Sequence, residues 1–297
     1  MQPTSKFRDW ASMARLPNVP TVWSNVFTAW VIGCSTLEFL NGGRFCLALI
    51  GGTLCYIGGT ILNDVADVEF DHEFRPERPI PSGRISRQAA KRVSVLSLGV
   101  GCGLLIASGS PYVLVGLLLA CILAYTRIHK RSGPIGACLM GLCRFLLGLT
   151  IAFSSGDGGD FRWNFALFLY VLGVSWLAQG ESRLTKSSAL PPLLLLMASP
   201  WLLALLSLSV YSTRWVWSFA AWVTVFIVWV FSMVWIGFPL LENSSCSKRG
   251  MAVGRALAAI PLVDAIFLIV ETTGKFIYIP FACIFLVLIF RRFAAAT

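Results

Sequence analysis

Of 297 residues, 57% are hydrophobic and only 13% charged, with a mean hydropathy of +0.76 and a formal net charge of +10. These proportions exclude an ordinary soluble domain, whose apolar core is wrapped in polar surface, and place the chain among polytopic membrane proteins. The apolar stretches are long and uninterrupted, which argues for helices over the short alternating segments of an outer-membrane barrel.

Ten apolar spans are predicted in chain order, at about 19–40, 45–65, 90–109, 111–127, 134–153, 163–180, 190–209, 215–238, 251–270 and 275–291. Placing the N-terminus in the cytoplasm puts nineteen of the 24 Lys and Arg on that side, around Lys6 to Arg15, Arg75 to Arg92, Arg127 to Arg131, Arg183 to Lys186, Lys248 to Arg255, and at Arg291 and Arg292. Only Arg44, Arg162, Arg214 and Lys275 fall outside, and Arg144 lies within a span. The asymmetry predicts a multi-pass protein of the inner (cytoplasmic) membrane with both termini and the polar loops cytoplasmic, and it supports the tenth span, without which Arg291 and Arg292 would lie outside. The positive charge follows from this topology, with attraction to anionic lipid headgroups as a further contribution, and is no nucleic-acid footprint.

Residues 1–18 are polar and basic and show no cleavable signal peptide, and no separate soluble domain is visible. The nine cysteines are scattered without a CxxC pair and read as small core hydrophobes, giving neither a disulfide framework nor a zinc site. Ser108 to Pro111 and Ser154 to Arg162 read as tight Gly-rich turns.

Polar residues with chemical potential concentrate after the second span, in Asn63-Asp-Val-Ala-Asp67-Val-Glu-Phe-Asp71 followed by Arg75-Pro-Glu-Arg78-Pro-Ile-Pro-Ser-Gly83-Arg84. At about 100° per residue, Asn63, Asp64, Asp67 and Asp71 share an arc of roughly 100°, while Glu69 and Glu73 point elsewhere. Three carboxylates on one face at a membrane helix end repel one another and resist desolvation unless a divalent cation compensates. Oxygen-only ligands suit Mg²⁺, which keeps waters and bridges to substrate phosphates. Arg75 and Arg78 can supply the other half of a diphosphate site. A solvated acidic helix end followed by a basic loop would explain the charges separately, but not their ordered spacing beside Pro79, Pro81 and Gly83.

This run resembles the first aspartate-rich motif, NDxxDxxxD with its trailing Arg-Pro and Pro-Ser-Gly segment, of the UbiA superfamily of intramembrane prenyltransferases. Tyr125-Thr-Arg127-Ile-His-Lys130-Arg131 and Met140-Gly-Leu-Cys-Arg144 resemble the superfamily's Tyr…Lys-Arg and Met-Gly-x-x-Arg elements, the latter most like the subgroup found in bacterial ebo clusters. The resemblance implies an all-α bundle of nine transmembrane helices, here with a tenth C-terminal helix, forming a single domain over 1–297. It also implies Mg²⁺-dependent transfer of a prenyl group from a polyprenyl diphosphate to a lipophilic acceptor in the lipid bilayer. Asp64, Asp67, Asp71 and Arg75 would be catalytic, and Asn63 would join the three aspartates around the metal. Substrate binding would involve Asn25, Asn63, Arg78, Lys130, Arg144, Glu181, Arg183 and Lys186.

Several of these assignments have a blander competitor. Arg144, costly inside a span, either lines a central chamber or forms a structural ion pair with Glu181 or Asp264. Asn25 either lies near the diphosphate or serves interhelical hydrogen bonding, and Lys130 and Arg131 serve equally as cytoplasmic anchors. His72 and His129 stand alone at loop edges and read as solvated. Trp163, Trp176, Trp215, Trp217 and Trp235 suit interfacial belts, with Trp176 alternatively walling a prenyl tunnel.

The chain departs from the superfamily after the sixth span. Where relatives carry a second Asp-rich motif, Gly173 to Lys186 has one carboxylate, Glu181, and two cations, Arg183 and Lys186, which either stand in for a second metal or anchor the helix end. Two further readings stay open: a UbiA-like protein that binds or transports an isoprenoid-linked molecule without transferring it, and a secondary transporter, which leaves the Arg-Pro and Pro-Ser-Gly loop unexplained.

Overall fold

A computed structural model describes residues 6–34, 42–129, 133–158, 161–182, 191–198, 201, 215–241, 246–272 and 276–293. Within them the chain forms helices α1 (Lys6–Met13), α2 (Val19–Gly33), α3 (Gly42–Ala66), α4 (Val68–Phe74), α5 (Arg87–Ala107), α6 (Tyr112–Ile128), α7 (Gly133–Ser155), α8 (Phe161–Ser182), α9 (191–198), α10 (Trp215–Leu241), α11 (Cys246–Ala258), α12 (Ile260–Thr272) and α13 (Tyr278–Phe293), with a 3₁₀ turn at Leu16–Asn18.

Among the described residues, six stretches are long and apolar enough to cross a membrane: Gly42–Ala66, Arg87–Ala107, Gly133–Ser155, Phe161–Ala178, Val223–Leu240 and Lys248–Ile269. Tyr112–Ile128 is apolar but shorter. The predicted span at 251–270 is two helices, α11 and α12, that meet at Ala259, and most of the predicted span at 190–209 lies outside the described residues. Lys248–Ile269 is 78% buried, so it runs through the middle of the bundle, whereas Arg87–Ala107, 28% buried, presents most of its surface outward, as a lipid-facing helix does.

Close approach of α3 and α5 frames the site. A Cβ on Gly58 would stand 2.8 Å from Leu98 Cγ and 3.0 Å from Ser94 O, so only glycine allows the contact, and Ser94 Oγ donates to Gly58 O at 2.9 Å. At the opposite end Gly109 has φ 97 and leaves room for Arg44, which donates to the carbonyls of Ser108 and Ser154. The turn expected at Ser108 to Pro111 is therefore a polar clasp joining α3, α5 and α7.

Among the described residues, two apolar clusters hold the elements. The larger runs through α2, α3 and α5–α13. A smaller one gathers Met13, Ile61, Val65, Val68, Ile80, Ile85 and Ala90, so the Pro-rich loop between α4 and α5 is pinned down by its own isoleucines. Ile85 N donates to Pro79 O, Arg84 Nε donates to the buried Asp9 of α1 at 2.9 Å, and Ser86 caps α5 by accepting from Ala89 N. This fixed loop carries Arg78.

Candidate functional site

Asp67 stands at the junction where α3 passes into α4. Asp67 N still donates to Asn63 O and Asp71 N to Asp67 O, so the four-residue spacing continues through the junction. Asp64, Asp67 and Asp71 are consequently buried on one face, at 7%, 6% and 2% exposure, while Glu69 and Glu73 are exposed. That separation is the one their helical angles predict.

Each buried carboxylate has polar partners. Arg78 Nη1 donates to Asp71 Oδ2 at 2.8 Å and lies 3.5 Å from Asp64 Oδ1. Arg15 Nη2 approaches the same Asp64 oxygen at 3.4 Å. Asn63 Nδ2 donates to Asp67 Oδ2 at 3.1 Å, and His129 Nε2 faces that oxygen at 3.3 Å. The His129 Nδ1 hydrogen bonds to Tyr125 O at 2.9 Å and its ring stacks on Tyr125, so the Asp67 contact becomes an ion pair when the ring is protonated. Met13, Pro79, Ile80 and Pro81 wall a small pocket around Asp64, Asp71 and Arg78.

Arg15 and His129 are the site residues that the sequence did not single out. Arg15 is the only non-glycine described residue with positive φ, 49°, in the left-handed region. Its backbone strain turns α1 into the Leu16–Asn18 turn and aims the guanidinium at Asp64. His129 was expected to be solvated; the end of α6 instead brings it to Asp67, whereas His72 is exposed as expected. Arg75 is half-buried and forms no ion pair among the described residues.

A second polar cluster lies deeper. Asp264 of α12 is fully buried and accepts from Ser24 Oγ, from Asn25 Nδ2 at 2.9 Å and from Trp163 Nε1 at 3.0 Å. Asn25 Oδ1 in turn accepts from Arg144 Nη1 at 2.8 Å, Thr21 Oγ1 from Arg144 Nη2 at 3.1 Å, and the guanidinium lies 5.1 Å from the Tyr56 ring centroid. Arg144 thus reaches Asp264 through Asn25 rather than by a direct ion pair, and Asn25 does serve interhelical hydrogen bonding. Trp163, expected at an interface, is fully buried because its indole N–H serves Asp264. Trp235 is 43% exposed.

The donor chemistry around Asp67 fits a hard cation in one respect and constrains it in another. Asn63 Oδ1 is buried without a hydrogen-bond partner, and flipping the amide would turn that oxygen against the Asp67 carboxylate. It is an acceptor left for a cation or donor. Among the described residues, however, no three Asp, Glu, His or Cys side chains converge as a metal-holding group. Lys130, Arg183 and Lys186 lie outside the described residues, and Glu181 is placed only as part of α8. Beside the end of α3, a groove of about 770 Å³ opens between Ala66 and the α6 residues Ala120, Leu123, Ala124 and Arg127.

Comparison with known proteins identifies the family and the fold. Residues 24–254 match the model of the UbiA prenyltransferase family. Digeranylgeranylglyceryl phosphate synthase of Sulfolobus acidocaldarius is 33% identical over 148 residues, 50% of each chain, and that of Metallosphaera sedula 33% identical over 168 residues, 55% of this chain and 58% of the relative. The chain thus spans about half the length of these curated relatives. Among solved structures, a UbiA homolog from Aeropyrum pernix K1 superposes with a TM-score of 0.65 at 14% identity, covering 85% of this chain and 97% of that one. A digeranylgeranylglyceryl phosphate synthase structure superposes at 0.58 and 18% identity, covering 91% and 100%. At such identities the likeness concerns the fold.

Proposed function

This chain belongs to the UbiA prenyltransferase family, and we propose that it transfers a prenyl group from a polyprenyl diphosphate to a lipophilic acceptor within the membrane. The observation that carries the reading is the buried face of Asp64, Asp67 and Asp71, bracketed by Arg15 and Arg78. A carboxylate face alone would repel a diphosphate; guanidinium groups on its rim supply bidentate donors to phosphate oxygens.

Asn63, Asp64, Asp67 and Asp71 would hold Mg²⁺. Because three carboxylates do not converge, each ion would take one or two of them and complete its shell with water and diphosphate oxygens. Bound there, the cation would stabilise charge developing on the departing diphosphate. The allylic C–O bond breaks with its electron pair on the diphosphate oxygen, Arg15 and Arg78 neutralise that charge, and the acceptor's nucleophile closes the new bond at the allylic carbon and sheds a proton. The groove between α3 and α6 offers room for the isoprenoid chain, and surrounding apolar helices exclude water from the cation.

The finer topology belongs to the same reading: ten spans, with the aspartate face and both termini cytoplasmic. Reporter fusions after Arg92, Arg131, Lys186 and Thr297 should all read cytoplasmic; a C-terminal reporter on the outside removes the tenth span. A non-catalytic isoprenoid-binding protein is favoured by one feature, the single carboxylate at Gly173 to Lys186. Incubating the purified chain with radiolabelled allylic diphosphates and a panel of acceptors decides between them. Labelled prenyl product supports transfer, whereas binding of diphosphate without product across the panel supports the alternative.

A further inference from the structure

The C-terminal helix carries a guanidinium whose buried donors have no acceptor, at the same end of the bundle as the aspartate face. Phe276, ahead of α13, meets Phe27 beyond the midpoint of α2 with ring centroids 5.8 Å apart, and α13 also packs on the Leu16–Asn18 turn that follows Arg15. Arg291, in the last turn of α13, therefore lies toward Arg15. Its side chain reaches across to α11, where a Cβ on Gly254 would stand 3.4 Å from Nη1. Nε and Nη2 are both buried without a hydrogen-bond partner.

Arg291 as a whole is half-buried, but leaving its Nε and Nη2 in this state is costly, because these two donors have lost water and gained nothing. The helices that hold the fork, α11 and α13, contain Lys248, Arg249, Arg255, Arg291 and Arg292 and no Asp or Glu. On α12, which also packs on α13, Asp264 is taken up by Ser24, Asn25 and Trp163. Nε and Nη2 form one edge of the planar fork, which matches two oxygens of a phosphate. Apolar surface flanks the fork: Leu288, one turn before Arg291, is 41% exposed, and Met251, one turn before Gly254, is 49% exposed.

We propose that Arg291 forms an anion site between α11 and α13 that takes the phosphate headgroup of a membrane amphiphile, with the apolar chain lying against the exposed side chains beside it. The site uses none of the residues of the aspartate face and does not rest on the prenyl-transfer reading. Gly254 matters because a larger side chain there would crowd the guanidinium without changing its charge.

The test uses the purified full chain in a neutral detergent with dioctanoylphosphatidic acid as probe, dioctanoylglycerol as the uncharged amphiphile and inorganic phosphate as the headgroup alone. Dioctanoylphosphatidic acid should raise the thermal midpoint of the wild type, and its binding should weaken about tenfold or more in Arg291→Gln, the scale of losing a charge-assisted hydrogen bond. Gly254→Leu should weaken it with the charge intact, and Asp64→Asn should retain it. Arg291→Gln without ligand should be at least as stable as wild type, which separates lost binding from lost folding. Equal binding by Arg291→Gln, equal binding of dioctanoylglycerol, or an equal effect of inorganic phosphate at the same concentration overturns the proposal. A separate transfer assay keeps the two readings distinguishable: lipid binding retained with no prenyl product removes the enzyme and leaves this site.

Discussion

Arg78 Nη1 lies 2.8 Å from Asp71 Oδ2, an ion pair spanning seven residues in which the carboxylate is 2% exposed and the Arg side chain 11%. The pair ties the fixed Pro-rich loop to α4 and holds the donor that would face a diphosphate. Removing one partner leaves the other charged and buried. Asp71→Asn or Arg78→Gln should each destabilise the protein by about 3 kcal/mol, with the double variant losing less than the sum. Denaturation of the four proteins in one detergent checks this, and strict additivity would show that the pair is not coupled.

Asn63 should show a trade-off between stability and function. Its Oδ1 is buried without a partner, while its Nδ2 serves Asp67. Replacing it by Asp preserves the shape and adds an oxygen ligand but sets two carboxylates side by side. Asn63→Asp should therefore be less stable than wild type in a chelator and recover most of the difference in excess Mg²⁺. Thermal unfolding with and without Mg²⁺ measures it; a metal-independent midpoint would count against a cation at this position.

Asp264 is expected to be structurally demanding. Three donors from α2 and α8 converge on it, and Asn25 passes the charge on to Arg144. In Asp264→Leu these donors and the Arg144 charge lose their acceptor together, a loss of about 3–5 kcal/mol or more. Asp264→Asn retains some acceptors and should lose less. Comparing the unfolding midpoints of the two variants is sufficient, and equal midpoints would contradict the network.

The aspartate face was legible because it is local: a 3.6-residue period placed Asn63, Asp64, Asp67 and Asp71 together and sent Glu69 and Glu73 to the surface. Arg15 and His129 were not legible, since they arrive from 49 residues before Asp64 and from the far end of α6, and only tertiary packing brings them to the aspartates. The only sequence hint for Arg15 was its place before Leu-Pro, where the chain must turn. Arg144 announced itself by the cost of a charge in a span, but its partner did not. Asp264 stands 239 residues from Asn25, and only the packing of α12 on α2 joins them. Trp163 failed for the same reason, because composition suggests an interface for any tryptophan and a single buried carboxylate reverses it.

The central claim is that the buried carboxylates act on a diphosphate through Mg²⁺, and the most direct test is binding of a radiolabelled prenyl diphosphate to purified wild-type, Asp64→Asn, Asp67→Asn and Glu69→Gln proteins across a Mg²⁺ titration. The wild type and Glu69→Gln should bind with the same Mg²⁺ dependence, because Glu69 is exposed and off the face. Asp64→Asn and Asp67→Asn should lose Mg²⁺-dependent binding by about tenfold or more while remaining folded. Wild-type affinity in either aspartate variant, or affinity unaffected by a chelator, would contradict the account.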